Sequence, residues 1–244
     1  MPTLLHAHGL TKRYGDTLAL NAVDLEVTDG VTGLLGSNGA GKSTAMKLFA
    51  GLILPTSGSV EAFGENPSES VEVRSIMGYM PEQDCTALNV TASDFLTHMA
   101  GVSGLPQSKA RSRAADTLRH VGLFEERYRP MSEYSTGMKQ RVKFAQAIVH
   151  DPKLVLMDEP TAGLDPTGRE EMLDLIRLTA HKFGINLLIS SHLMGDVERT
   201  ADRVIVLEGG RVVKHGEIPK LTQENQSLYL EVDANRNHLR DSLF

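Results

Sequence analysis

One stretch near the start of the chain, Gly36-Ser37-Asn38-Gly39-Ala40-Gly41-Lys42-Ser43-Thr44, constrains the fold more than any other. It fits the pattern G-x-x-x-x-G-K-[ST], with Gly36, Gly41, Lys42 and Ser43 at the fixed positions. A triphosphate is a dense cluster of negative charge, so its site needs several donors converging on a small volume. Glycines let successive backbone N–H groups point inward, where a Cβ would block the approach. The following helix adds its positive dipole end, Lys42 a mobile cation for the outer phosphates, and Ser43 a hard oxygen for magnesium. Such a loop needs a buried strand before it and a helix after it. Val31, Leu34 and Leu35 supply the apolar run for the strand, and residues 45–50 continue as the helix.

A carboxylate must complete the site. Leu154-Val155-Leu156-Met157 is a fully apolar strand running into Asp158-Glu159-Pro160. Asp158 is placed to bind magnesium, and Glu159 to accept a proton from, or orient, an attacking water, an effect worth roughly 10²–10⁴-fold in rate.

The rest of the chain reads as strands and helices in alternation. Val23, Leu25 and Val27 alternate with acidic residues ahead of the turn at Asp29-Gly30. Thr91 with Asp94 opens a helix that stops at Gly101 or Gly104. Further helices are expected over 108–121, from Ser135 to about His150, and over 167–183, the last with Glu170 and Glu171 in its first turn. A buried strand is expected over 185–190. Residues 204–207 and 211–213 flank Gly209-Gly210 as a hairpin, and His6 and His8 share one strand face without metal. Strands alternating with helices imply an α/β fold with a largely parallel sheet and an antiparallel portion. Beyond Leu221, the alternation of Leu228, Leu230 and Val232 fits a peripheral strand or the first piece of a small additional domain.

Composition sets outer limits. A hydrophobic content of 41% with 23% charged residues suits a packed globular core. The net charge of −6 gives no nucleic-acid footprint, so no nucleic-acid partner is expected. Two basic groups, Lys109/Arg111/Arg113 and Lys139/Arg141/Lys143, read as solvated helix faces. Cys85 stands alone, which excludes an internal disulfide framework and fits a reducing compartment. The longest apolar run, 48–54, is too short for a membrane span, and no secretory signal is evident, so a cytosolic location is expected.

Together these motifs resemble the ATP-binding subunits of ABC transporters over about residues 3–220. Tyr134-Ser135-Thr136-Gly137-Met138, followed by Lys139-Gln140-Arg141, is similar to the family signature LSGGQ, with Tyr, Thr and Met as departures. Thr11-Lys12-Arg13-Tyr14-Gly15 resembles the loop whose aromatic ring stacks on adenine. Ala162-Gly163-Leu164-Asp165 resembles the D-loop, and Ser190-Ser191-His192 the switch histidine that senses the γ-phosphate. In Gly78-Tyr79-Met80-Pro81-Glu82-Gln83 the spacing puts Glu82 where the family usually has Gln, with Gln83 one residue late. Both remain candidates for reaching magnesium or the water.

The resemblance implies a P-loop NTPase core with an N-terminal antiparallel β portion and an inserted helical subdomain over about 86–150. It implies ATP and Mg2+ as cofactors and a homo- or heterodimer. In that dimer each site takes residues 36–44, Asp158, Glu159 and His192 from one chain and Ser135 and Gly137 from the other. It also implies transmembrane permease partners, hence a place on the inner face of the cell membrane, and the signature is similar to those of ABC-2-type exporters. Two readings compete: a soluble ABC ATPase outside transport, and a nucleotide-gated binding module with little turnover.

Overall fold

The computed structural model describes residues 3–218, so the expectations for the segment beyond Leu221 fall outside the described residues. The chain opens with a long hairpin, β1 (Thr3–Tyr14) and β2 (Thr17–Thr28), which pairs with β4 (Ser57–Ala62) in a three-stranded antiparallel sheet of order β2-β1-β4. His6 and His8 share one face of β1, their rings 6.2 Å apart. Between these strands the chain enters a second sheet through β3 (Val31–Leu35) and turns into α1 (Lys42–Phe49).

The second sheet has six strands in the order β5-β6-β7-β3-β8-β9: β5 (Met77–Met80), β6 (Leu154–Met157), β7 (Asn186–Ser191), β8 (Arg203–Glu208) and β9 (Arg211–Glu217). The first five of that order run parallel, and β9 returns antiparallel to β8 across the Gly209-Gly210 turn. This is the mostly parallel α/β core with an antiparallel N-terminal portion that the sequence implies.

Strand β6 is apolar throughout because both of its faces are covered. Leu154 and Leu156 pack with Met46 and Phe49 of α1 and the inner face of the three-stranded sheet. Val155 and Met157 face the other way. That second core holds α3 (Ala92–Val102), α4 (Gln107–His120), α5 (Thr136–Ile148) and α6 (Pro166–Phe183). Two short helices, α2 (Val71–Ser75) and α7 (Met194–Thr200), complete the set.

Helix boundaries follow the local chemistry. The Thr91 side chain caps α3 by accepting the Asp94 N–H at 3.1 Å, and α6 ends at Gly184 in the left-handed conformation. Because α6 begins at Pro166, one residue earlier than expected, Glu170 and Glu171 lie just past its first turn, which carries no acid.

Lys109 and Arg111 are exposed on α4 as expected, but other members of the two basic groups depart from solvated faces. Arg113 Nε donates to Val149 O at 2.9 Å, and Arg141 reaches Val121 O at 3.0 Å and Glu171 at 2.9 Å. Lys143 is buried. These cations tie helices to their neighbours, because the α4 and α5 surfaces that bear them face protein.

Candidate active site

Four adjacent parallel strands, β5, β6, β7 and β3, end at the same edge of the sheet, and each delivers a different group there. β5 leads into Pro81-Glu82-Gln83, β6 into Asp158-Glu159, β7 into His192 and β3 into the loop 36–41. Register does the assembly, since Leu35 pairs with Ser191 and Met157 with Ile189. Ligands of open α/β sheets bind outside these carboxyl ends.

Lys42 is the first residue of α1. The residue before it, Gly41, has φ 104°, and a Cβ there would lie 2.5 Å from the Ala19 carbonyl oxygen, so only glycine makes this turn. Ser37, Asn38 and Gly39 are exposed at the loop tip, Gly36 and Ala40 are buried, and Ser43 and Thr44 are half-buried in the first helical turn. Lys42 is 6% exposed, and its ammonium donates to Gly36 O at 2.7 Å and to Ser37 O at 3.2 Å. It also lies 3.1 Å from Glu159 Oε1, an ionic contact without the alignment of a hydrogen bond.

Glu159 has φ 48°, in the left-handed region that side chains with a Cβ rarely enter. Ser190 holds it there: the hydroxyl accepts the Glu159 N–H at 2.9 Å and donates to Asp158 Oδ1 at 2.7 Å. One buried serine thus fixes both carboxylate residues. His192 Nδ1 lies 3.0 Å from Glu159 Oε2, so Glu159 stands between Lys42 and His192. Behind them, the Thr161 and Ser191 hydroxyls donate to the buried Asp196 Oδ2 at 2.8 and 3.4 Å, linking the segment after β6 to the end of β7.

Tyr79 sits on β5, next to β6, its hydroxyl buried and without a partner among the described residues. Burial first, and the Asp158 carboxylate second, push this phenol well above the usual tyrosine range, so it stays protonated.

Lys42, Asp158, Glu159 and His192 therefore come together as the sequence implies. Tyr14 stands at the end of β1, 48% exposed, with Lys12 Nζ 5.1 Å from its ring centre. Glu82 and Gln83 are both exposed on the loop leaving β5. Ser135 caps α5 by accepting the Met138 N–H at 3.3 Å, Gly137 follows in the first turn, and Asp165 is the exposed N-cap position of α6. Among the described residues no hydrogen bond or ion pair joins Ser135 or Asp165 to Lys42 or Glu159.

Sequence reasoning assigned no role to Ser190, Asp196, Thr161 or Lys143. A signal was available for the first. Two serines ending a buried strand need partners, and the acidic pair on the neighbouring strand is the natural one.

Comparison with known proteins agrees with this geometry. The family model described as ABC transporter matches residues 20–162. The bacitracin transport ATP-binding protein of Enterococcus faecalis is 37% identical over 236 residues, which cover 96% of this chain and 75% of that protein. The daunorubicin/doxorubicin resistance ATP-binding protein of Streptomyces peucetius is 35% identical over 214 residues, 87% of this chain and 64% of that protein. Among solved structures, cbiO1 from Clostridium perfringens, part of the ABC transporter complex cbiONQ, superposes with a TM-score of 0.82 at 29% identity, covering 93% of each chain. Motifs, sheet order and relatives agree, and the chain belongs to the ABC transporter family as one of its ATP-binding subunits.

Proposed function

We propose that two such subunits close on ATP, hydrolyse it, and thereby drive an exporter built from separate membrane chains. The observation that carries this reading is the convergence of Lys42, Asp158, Glu159 and His192 at the ends of neighbouring parallel strands. In this reading Lys42 and the N–H groups of the loop 36–41 bind the β- and γ-phosphates. Glu159 accepts a proton from the attacking water, and His192 orients Glu159 while facing the terminal phosphate. Tyr14 stacks on the adenine.

Magnesium fits the donor set, because the Ser43 hydroxyl and the Asp158 carboxylate are hard oxygens, with Gln83 a further candidate. Bound there, it would neutralise developing phosphate charge. Ser135 and Gly137 serve the site of the partner copy, and Asp165 lies at the interface between copies. Closure surrounds the developing charge with fixed donors and excludes water. Residues 1–220 are then the cassette, and about 86–150 its helical lobe.

Export is supported by the relatives named for bacitracin transport and for daunorubicin/doxorubicin resistance. No helix among the described residues is long and apolar enough to cross a membrane. The substrate path in this reading belongs to permease subunits that hold the cassette at the inner face of the membrane.

Steady-state hydrolysis and gel filtration of the wild type and of Glu159→Gln test the reading. The variant is expected to lose turnover and to accumulate an ATP-bound dimer. Unchanged turnover in Glu159→Gln, or a wild type that hydrolyses no ATP, would sink it, and co-purification with a polytopic membrane protein tests the coupling to transport.

A further inference from the structure

Helix α5 presents three side chains to the loop that leaves β5. Lys139, Lys143 and Gln146, at helical spacings of four and three, share one face. Lys139 Nζ lies 3.8 Å from Asp84 Oδ2, Lys143 Nζ donates to Glu82 O at 2.7 Å, and Gln146 Oε1 accepts from Cys85 Sγ at 3.6 Å. Asp84 in turn accepts from the Thr86 hydroxyl at 2.6 Å and its N–H at 3.0 Å, which braces the loop from within. The approach depends on Gly78. A Cβ there would drive into the Ala147 carbonyl oxygen, so β5 packs directly on the backbone of α5.

Lys143 differs from its two neighbours on this face. It is 3% exposed, and burial pulls its ammonium below the ordinary lysine range, an effect opposed by nearby acidic groups that include the carboxylates of Asp84, Glu82 and Asp158. A methionine would fill much the same space without that desolvation cost, so a cation gains only by holding an acceptor. Its acceptor is the backbone carbonyl of Glu82, the residue standing at the family's usual Gln position.

We propose that Lys143 is a positioning residue of the ATPase site. It fastens the loop bearing Glu82 and Gln83 to the helix whose N-terminus bears Ser135 and Gly137. The loop that faces a chain's own nucleotide and the helix end that serves the partner's nucleotide then move as one body. Closure of the dimer carries Glu82 and Gln83 into place through this tether. The inference rests on the ATPase reading for its consequence and on the bond to Glu82 for its mechanism.

The test compares the full chain with Lys143→Met and Lys143→Arg. Hydrogen exchange without nucleotide reads the tether: Lys143→Met should speed amide exchange over residues 82–86 by about tenfold, with β3 and α1 unchanged. Turnover reads the consequence: kcat of Lys143→Met should fall about tenfold while KM for Mg-ATP moves by less than about threefold. Lys143→Arg, which keeps the cation, should restore most of both. Exchange over 82–86 that is unaltered in Lys143→Met overturns the proposal, as does a rise in KM with kcat intact, or an arginine variant that folds yet recovers nothing. If Lys143→Met does not fold, Lys143→Gln takes its place with the same readouts. A wild type without turnover would sink the ATPase reading instead, and the exchange comparison would still decide the tether.

Discussion

The Lys42 ammonium and the Glu159 carboxylate lie 3.1 Å apart, and each is nearly sealed from solvent. In the proposed reading, the cation that attracts the terminal phosphate and the base that deprotonates the attacking water are therefore engaged with one another. An arriving γ-phosphate competes with Glu159 for Lys42, and the two negative groups repel. Neutralising Glu159 removes both effects, so Glu159→Gln should bind Mg-ATP about three- to tenfold more tightly while losing turnover. Lys42→Ala should weaken binding by at least about thirtyfold. Calorimetric titration of both variants checks the pair, and equal affinities for Glu159→Gln and the wild type would show that the contact imposes no cost on binding.

Ser190 donates to Asp158 and accepts from Glu159, so removing one hydroxyl strands a buried carboxylate oxygen and a buried N–H. Ser190→Ala should lower the unfolding free energy by about 2 kcal/mol, within the range for an orphaned buried polar group. It should also reduce kcat by about tenfold, because Glu159 relaxes from its left-handed backbone conformation. Denaturant unfolding and steady-state kinetics on the same preparation separate the two losses. A variant as stable as the wild type would contradict the role assigned to the serine.

How far the sequence reveals this arrangement depends on how local each signal is. The loop 36–44, the Asp158-Glu159 pair and the capped start at Thr91 are written in contiguous residues, and the structure has each in that form. The shared edge also follows, because apolar strands alternating with helices imply a parallel sheet whose strands end together. Partnerships across strands are different. Two serines ending a buried strand call for partners, but that Ser190 takes Asp158, 32 positions away, follows only once β7 is known to lie beside β6. The spacing of Lys143 on α5 reads as an exposed face until β5 is packed against it through Gly78. The short elements α2, α7 and β4 are also silent in sequence, being too brief to build a periodic pattern.

Tyr14 offers a largely exposed ring at the end of β1. Stacking of a base on an aromatic ring is worth about 1–3 kcal/mol. If Tyr14 stacks on the adenine as proposed, Tyr14→Ala should weaken ATP binding by roughly five- to a hundredfold, and Tyr14→Phe should bind as the wild type does, because only the face of the ring would meet the base. Since the ring supports little of the core, neither change should move the melting temperature by more than about 2 °C. Inorganic triphosphate, which lacks the base, gives the control: its affinity should be the same for all three proteins.

Acid should destabilise the fold through two histidines. His150 Nε2 donates to Met77 O at 2.9 Å, while its Nδ1 is buried without a partner among the described residues, so protonation would add a buried N–H with no acceptor among them. His120 Nε2 meets Thr179 Oγ1 at 2.7 Å, and because that hydroxyl already donates to Leu175 O, the ring nitrogen is the donor. Burial lowers both imidazoles below the ordinary histidine range, with Lys182 adding to the effect at His120 and Arg113 at His150. The folded state thus binds these protons less readily than the unfolded chain. Their stabilisation is full above the unfolded histidine value of about 6.5 and is lost as the pH falls through it toward the folded values. Urea midpoints should drop between about pH 7.5 and pH 5.5. His150→Gln, whose amide still offers a donor to Met77 O, should flatten part of that slope, and a variant as acid-sensitive as the wild type would assign the loss to other groups.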